Sequence, residues 1–257
     1  MGLFSGRRQV DERPGGADLP LMEHLRELRR RLITSLAAVF VCVLVATFFA
    51  PEVWDLLVHP MNQALEAQGK GSMAILSPLE GVTTYLKVAV FCGFILASPV
   101  VFWQVWLFVA PGLYAKEKHF VVPLVSASTL LFVVGVAFGY TIIFPYAFVF
   151  FLSVTPGSVA AVVSMKSYLD LVTWMLLAFG GSFQLPVAAW FLGRIGLVDA
   201  RDMLKWFRHA VILIFVVAAV ITPPDVVSQC LLAAPLLVLY GASIGVVALT
   251  SRKKRAK

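Results

Sequence analysis

The sequence predicts an all-α integral membrane protein with six transmembrane helices and both termini on one side. Three observations carry this. Of the 257 residues, 60% are apolar and only 14% charged, against roughly a quarter charged in soluble domains. Five or six stretches approach the roughly 20 residues that a helical span requires, and their Leu, Val, Phe and Ala content suits helices better than the alternating strands of an outer-membrane barrel. Finally, eighteen of the 21 Lys and Arg residues fall in four segments that six spans place on one side. No room remains for a sizeable soluble domain. The expected organisation is a mobile tail over 1–19, one six-helix membrane domain over 20–249, and a basic tail over 250–257.

Residues 1–19 are rich in Gly, Pro and charge and are expected to be a mobile tail. Arg7-Arg8 superficially resembles an export signal, but no apolar run follows for over twenty residues, so the segment reads as a basic cytosolic tail. In Pro20–Leu32, leucines 21, 25, 28 and 32 recur at helical spacing with charges on the other face, predicting an amphipathic helix at the membrane surface that runs into a first span over 32–49. Pro51 marks its exit. Residues 51–81 read as a polar connection with weak helical pattern, and Gly69-Lys70-Gly71-Ser72 lacks the first glycine of a phosphate loop.

The second and third apolar segments, 82–110 and 120–152, exceed a hydrocarbon core of roughly 30 Å, so they must tilt, bend or project. Pro99, Pro123 and Pro145 supply the expected bends. A turn at Thr155-Pro156-Gly157 leads to a fourth span over 168–192, which contains Gln184 beside Pro186. The fifth run, 210–221, is halted by Thr222-Pro223-Pro224-Asp225, and its twelve residues cover only roughly 18 Å. Local thinning, snorkelling or a partner must absorb that mismatch. The sixth span runs over 230–249.

The N-terminal segment 1–32, the 113–119 loop, the 194–209 loop and the C-tail hold seven, two, four and five of the basic residues. By the positive-inside rule this side is the cytosol.

Several motifs invite chemistry. Gly241-Ala242-Ser243-Ile244-Gly245 matches a nucleophile elbow, but it lies within an apolar helix with no histidine after it. It reads better as G-x-x-x-G helix packing, as do Gly135 and Gly139. Cys42, Cys92 and Cys230 show no ligand spacing and read as buried small hydrophobes, while the four scattered histidines make no metal set. Gln184 is either an interhelical hydrogen-bond donor or a functional polar lining. Thr222, Ser228 and Gln229 either satisfy backbone groups freed by the prolines or receive a polar group from a partner helix.

Two acids are sharper candidates. Glu27 sits four residues before Arg31, and Glu117 lies between Lys116, Lys118 and His119 in a basic loop after Pro111-Gly112. Each either pairs with its neighbours or contributes to an acceptor for guanidinium groups. Arginine binds carboxylate bidentately and lysine does not, so such a site discriminates between them.

Five segments together resemble one family. They are P-L-M-E-H-L-R-E-L-R-R-R-L at 20–32, S-P-L-E-G-V-T-T-Y-L-K-V at 77–88, Q-V-W-L-F-V-A-P-G-L-Y-A-K-E-K at 104–118, F-G-G-S-F-Q-L-P-V at 179–187 and I-T-P-P-D-V-V-S-Q at 221–229. In this order they resemble TatC, the multispanning receptor subunit of the twin-arginine protein translocase. The resemblance implies a cupped six-helix bundle in the bacterial cytoplasmic membrane that recognises folded precursors bearing paired-arginine signal peptides. It also implies self-association and assembly with TatA-like and TatB-like single-span subunits. Transport would be driven by the proton-motive force, without covalent chemistry, cofactor or nucleic-acid partner. By position, Glu27, Phe108 and Glu117 match residues implicated in signal recognition. Pro60, Glu80, Asp225 and Gln184 match other important motif positions, and Thr222 and Gln229 match positions that contact partner helices. Two residues depart from the pattern: Gln184 stands where Glu is frequent, and Val82 where an aromatic residue is common. The competing reading is a small-solute secondary transporter, which calls for an internal repeat and a midplane site; the sequence presents neither.

Overall fold

The computed structural model describes residues 18–69, 72–109, 121–154, 162–222 and 226–255. Helix α1 (Asp18–Thr47) is unbroken, so the amphipathic stretch and the first span form one rod. α1 packs along the antiparallel α3 (Glu80–Val109) and leaves Leu36, Phe40, Leu44 and Phe48 exposed. This outward apolar face suits a helix whose other side meets lipid.

Between them lies a correction. Residues expected to form a polar connection fold as α2 (Ala50–Gln68), a 19-residue helix. Pro51 opens this helix, where a missing N–H costs nothing. Trp54, Leu57, Val58, Met61, Ala64 and Leu65 are buried at three- and four-residue spacing. The intervening His59 and the internal Pro60, itself buried, obscured that stripe. Gly69 ends the helix in the left-handed conformation (φ 58°).

The third apolar segment is α4 (Val121–Phe138), a π-helical turn at Gly139–Ile143, and α5 (Phe144–Val154). Pro145, which lacks an amide N–H, follows this turn directly, a local cause for the irregular register. The fourth divides into α6 (Met165–Ser182) and α7 (Leu185–Ile195), with Pro186 opening the second half. After α8 (Ala200–Lys205), α9 (Phe207–Ile221) gains a turn over the expected fifth span, yet its 15 residues reach only about 22 Å. The last helix, α10 (Val226–Arg255), contains Pro235.

Among the described residues, five helical stretches are long and apolar enough to cross a membrane, and α9 is a shorter apolar helix. Because consecutive spans alternate in direction, α1 begins and α10 ends on one face, called here the termini face. The opposite face carries a small addition to the all-helical expectation. Strands β1 (Ser72–Ala74) and β2 (Val162–Ser164) pair in parallel just before α3 and α6, and we call it the sheet face.

The main core joins α2, α3, α5, α6, α9 and α10 around Phe144, Phe148, Tyr168 and Phe179. Tyr168 and Tyr140 donate hydrogen bonds to the carbonyls of Leu57 and Leu56, tying α2 across the bundle. A Cβ at Gly135 would lie 2.8 Å from the Phe179 carbonyl oxygen, and one at Gly139 2.9 Å from the Phe179 ring. Close approach there depends on glycine. Gly241 and Gly245 correct the parallel expectation: a Cβ at either meets nothing within 4 Å. Ser243 between them donates to the Leu239 carbonyl of its own helix. The cysteines also depart from expectation, Cys230 being exposed and Cys42 and Cys92 half-buried, because helix faces turned to lipid need no protein cover.

Candidate functional site

On the termini face, α1 and α3 are joined by side chains that helical spacing brings into one row. His24 stacks on Phe108, ring centroids 4.5 Å apart. Two turns further along α1, Arg31 donates to Glu27 Oε1 at 3.1 Å and to Gln104 Oε1 at 3.2 Å. Glu27 therefore does pair with the arginine four residues on. Its other oxygen, Oε2, has no hydrogen-bond partner among the described residues. The side chain is 33% exposed, so the carboxylate retains capacity for a second guanidinium. Phe108 and Glu27 thus occupy one end of the α1–α3 pair. Glu117, the third member of the expected site, lies outside the described residues.

Beyond this row runs a groove of about 830 Å³ walled by α1, α3, α4 and α6. Phe94, Phe102, Phe132 and Trp174 dominate its lining, and Gln184 stands at the α6–α7 break. Gln184 donates through Nε2 to the Ser128 carbonyl at 2.9 Å. The Ser128 hydroxyl in turn accepts the buried Trp106 indole N–H at 2.8 Å. Gln184 is thus both an interhelical tie and part of the groove wall, so the two sequence readings coexist.

The groove also contains a pair that sequence reasoning missed. Lys87 on α3 donates to Asp170 on α6, and both line the groove near the sheet face. Lys87 is one of the three basic residues that lie outside the four segments of the charge count, and no motif singles out Asp170. A signal was present: each charge lies a few residues inside the same end of its apolar segment, in helices that run in the same direction.

On the sheet face, Glu80 is buried at the start of α3. One carboxylate oxygen accepts the backbone N–H groups of Leu76 (2.6 Å) and Ser77 (3.2 Å). The other accepts the Ser164 hydroxyl (2.5 Å) and the Lys166 N–H (2.7 Å). A single acid therefore clamps the approach to α3 against β2 and the start of α6, beside the two-stranded sheet. Pro60 lies buried in α2 on this side.

At the α9–α10 junction, Thr222 donates to the Ala218 carbonyl (2.9 Å) and Gln229 to the Phe215 carbonyl (3.0 Å). Both bonds serve the α9 backbone, but at carbonyls other than those of Ala219 and Val220, which lie four residues before the two prolines, and Ala218 already accepts the Thr222 N–H. Asp225 lies outside the described residues. The structure thus brings Glu27 and Phe108 together, sets Gln184 in the adjoining groove, and leaves Glu80, Thr222 and Gln229 remote from both.

Comparison with known proteins matches this architecture. The family model described as Sec-independent protein translocase protein (TatC) matches residues 23–235. A TatC protein of Desulforapulum autotrophicum is 46% identical over 226 residues, covering 88% of this chain and 83% of that protein. A relative of the same name from Aquifex aeolicus is 36% identical and covers 92% of this chain and 98% of its own length. A crystal structure of the twin arginine translocase receptor TatC superimposes with a TM-score of 0.81 at 35% identity, covering 89% of this chain and all of that one. With the family model, the relatives and the shared fold all in agreement, the chain belongs to the TatC family of multi-pass membrane proteins, the Sec-independent protein translocase proteins.

Proposed function

We propose that this chain is the receptor subunit that captures paired-arginine signal peptides of folded precursors, with the termini face in the cytosol of a bacterial cell and the bundle in its cytoplasmic membrane. The observation that carries the reading is the Glu27 carboxylate. It is half-committed to Arg31, its second oxygen has no hydrogen-bond partner among the described residues, and it lies one turn from His24 of the His24–Phe108 stack, on the α1–α3 pair that further along walls an apolar groove. A guanidinium of the signal bonds that oxygen, and Glu117 from the neighbouring loop supplies the acceptor for the second arginine. Phe108 forms an apolar wall beside them. The apolar part of the signal then lies in the groove. TatA-like and TatB-like helices meet the α9–α10 junction near Thr222 and Gln229, where the short span brings the opposite faces close. Further copies of the chain complete a multimeric receptor, and the proton-motive force drives transport.

The test is peptide capture by the full chain in nanodiscs. Glu27→Ala and Glu117→Ala each remove a charge-assisted bond worth about 1.5–3 kcal/mol. Each is expected to weaken capture of an Arg-Arg signal about ten- to hundredfold. A Lys-Lys signal competes poorly, because an ammonium offers no planar fork. Equal capture of both signals by wild type and both variants would sink the carboxylate site.

A further inference from the structure

An ion pair inside a mostly apolar groove needs an account, because ionisable side chains in spans are expensive and are kept where they act. The Lys87 and Asp170 side chains are each 42% exposed, and among the described residues each has the other as its one hydrogen-bonding partner. An ammonium carries three donors and a carboxylate about four acceptor sites. Most of that capacity therefore faces the groove.

The pair also has a position. Lys87 lies fifteen residues from Phe102 along α3, and Asp170 fourteen residues from Gln184 along α6 and α7. Both distances are about 21–22 Å at helical rise. The apolar part of the groove thus accommodates about fourteen residues of a helical guest before the guest reaches the charges. The apolar core of an export signal is about 7–15 residues long, whereas a membrane anchor needs about 20. A polar residue arriving at the pair gains hydrogen bonds. A leucine arriving there strips water from two charges and returns nothing.

We infer that the Lys87–Asp170 pair is a length gauge: it closes the sheet-face end of the groove and makes the receptor select short apolar segments over anchor-length ones. This inference rests on the reading that the groove holds the apolar part of a signal peptide. The guest is that segment in helical form, entering from the termini face past Phe108 and Glu27.

The experiment uses the full chain in nanodiscs with a photoreactive residue in place of Trp174, a groove residue one helical turn from Asp170. Arg-Arg peptides carry Leu/Ala runs of 14 or 20 residues. The wild-type pair is expected to favour the shorter run about tenfold, the ratio that ~1.4 kcal/mol of uncompensated desolvation produces. In Lys87→Met/Asp170→Leu, which removes both charges together, that ratio falls to about one. Exchanging the charges, Lys87→Asp/Asp170→Lys, restores it. A measurement that needs no variant of the pair places Asn at the fifteenth position of the 20-residue run, and capture returns towards that of the short run.

Equal capture of both runs by the wild-type pair, a ratio that survives in the neutral pair, or an Asn that changes nothing would each overturn the gauge. If crosslinking at position 174 persists in those cases, the groove still holds the signal and only the gauge fails. Absence of crosslinking for every peptide overturns both readings.

Discussion

Gly93 controls how closely α1 approaches α3, and Gly93→Ala tests whether that approach builds the candidate site. A Cβ at position 93 would stand 2.6 Å from Val43 Cα, 2.6 Å from its Cγ2 and 2.7 Å from its backbone N. Carbon atoms rest at about 3.5–4.0 Å, so α1 must retreat by about 1 Å. Two of these contacts are with backbone, and no change of Val43 rotamer relieves them. Overpacking of this kind costs about 1–3 kcal/mol. The Arg31–Gln104 bond, now 3.2 Å, would stretch by about the same 1 Å and pass the limit of a hydrogen bond. We expect Gly93→Ala to lower unfolding stability in detergent by about 1–3 kcal/mol and to weaken capture of an Arg-Arg peptide, although residue 93 touches neither Glu27 nor Phe108. Trimming the neighbour in Gly93→Ala/Val43→Ala should recover only part of the loss, since the Cα and N contacts remain. Wild-type stability in Gly93→Ala, or full rescue by Val43→Ala, would refute the reasoning.

Two further tests probe the other ties. Glu80→Ala removes the acceptor for Leu76, Ser77, Ser164 and Lys166 together, so hydrogen exchange at the three backbone amides should accelerate, while the amides inside α3 stay protected. Glu80→Gln, which keeps one carbonyl oxygen, should protect one side of the clamp and release the other. Ser128→Ala strands the buried Trp106 indole N–H, which we expect to cost about 1–3 kcal/mol. Trp106→Phe/Ser128→Ala should cost less than the two single changes added together, a coupling that a double-mutant cycle of detergent unfolding would measure.

How much of this was legible in the sequence differs from element to element. The spans were, because an apolar run of spanning length has few alternatives in a chain with so little charge. α2 was not: its buried stripe is interrupted by His59 and Pro60, and its acids look like those of a loop until α5 and α3 cover the other face. Pairing of Glu27 with Arg31 is local and follows from four-residue spacing. The stacking of His24 on Phe108 and the bond from Arg31 to Gln104 join residues more than seventy positions apart, and no local pattern announces them. Glu80 is similar, since its burial makes sense only once β2 and the start of α6 arrive beside it.

The sequence by itself determined the class, the number of spans and the likeness to TatC, because bilayer thickness, charge asymmetry and ordered motifs act on short stretches of chain. The tertiary structure decided which polar groups meet. It set Gln184 against Ser128, gathered four donors on Glu80, and brought Lys87 to Asp170 across a groove of aromatic rings. Each of those meetings depends on how helices distant in sequence are staggered and how closely they approach. That stagger is a property of packed surfaces, set by contacts such as Gly93 on Val43.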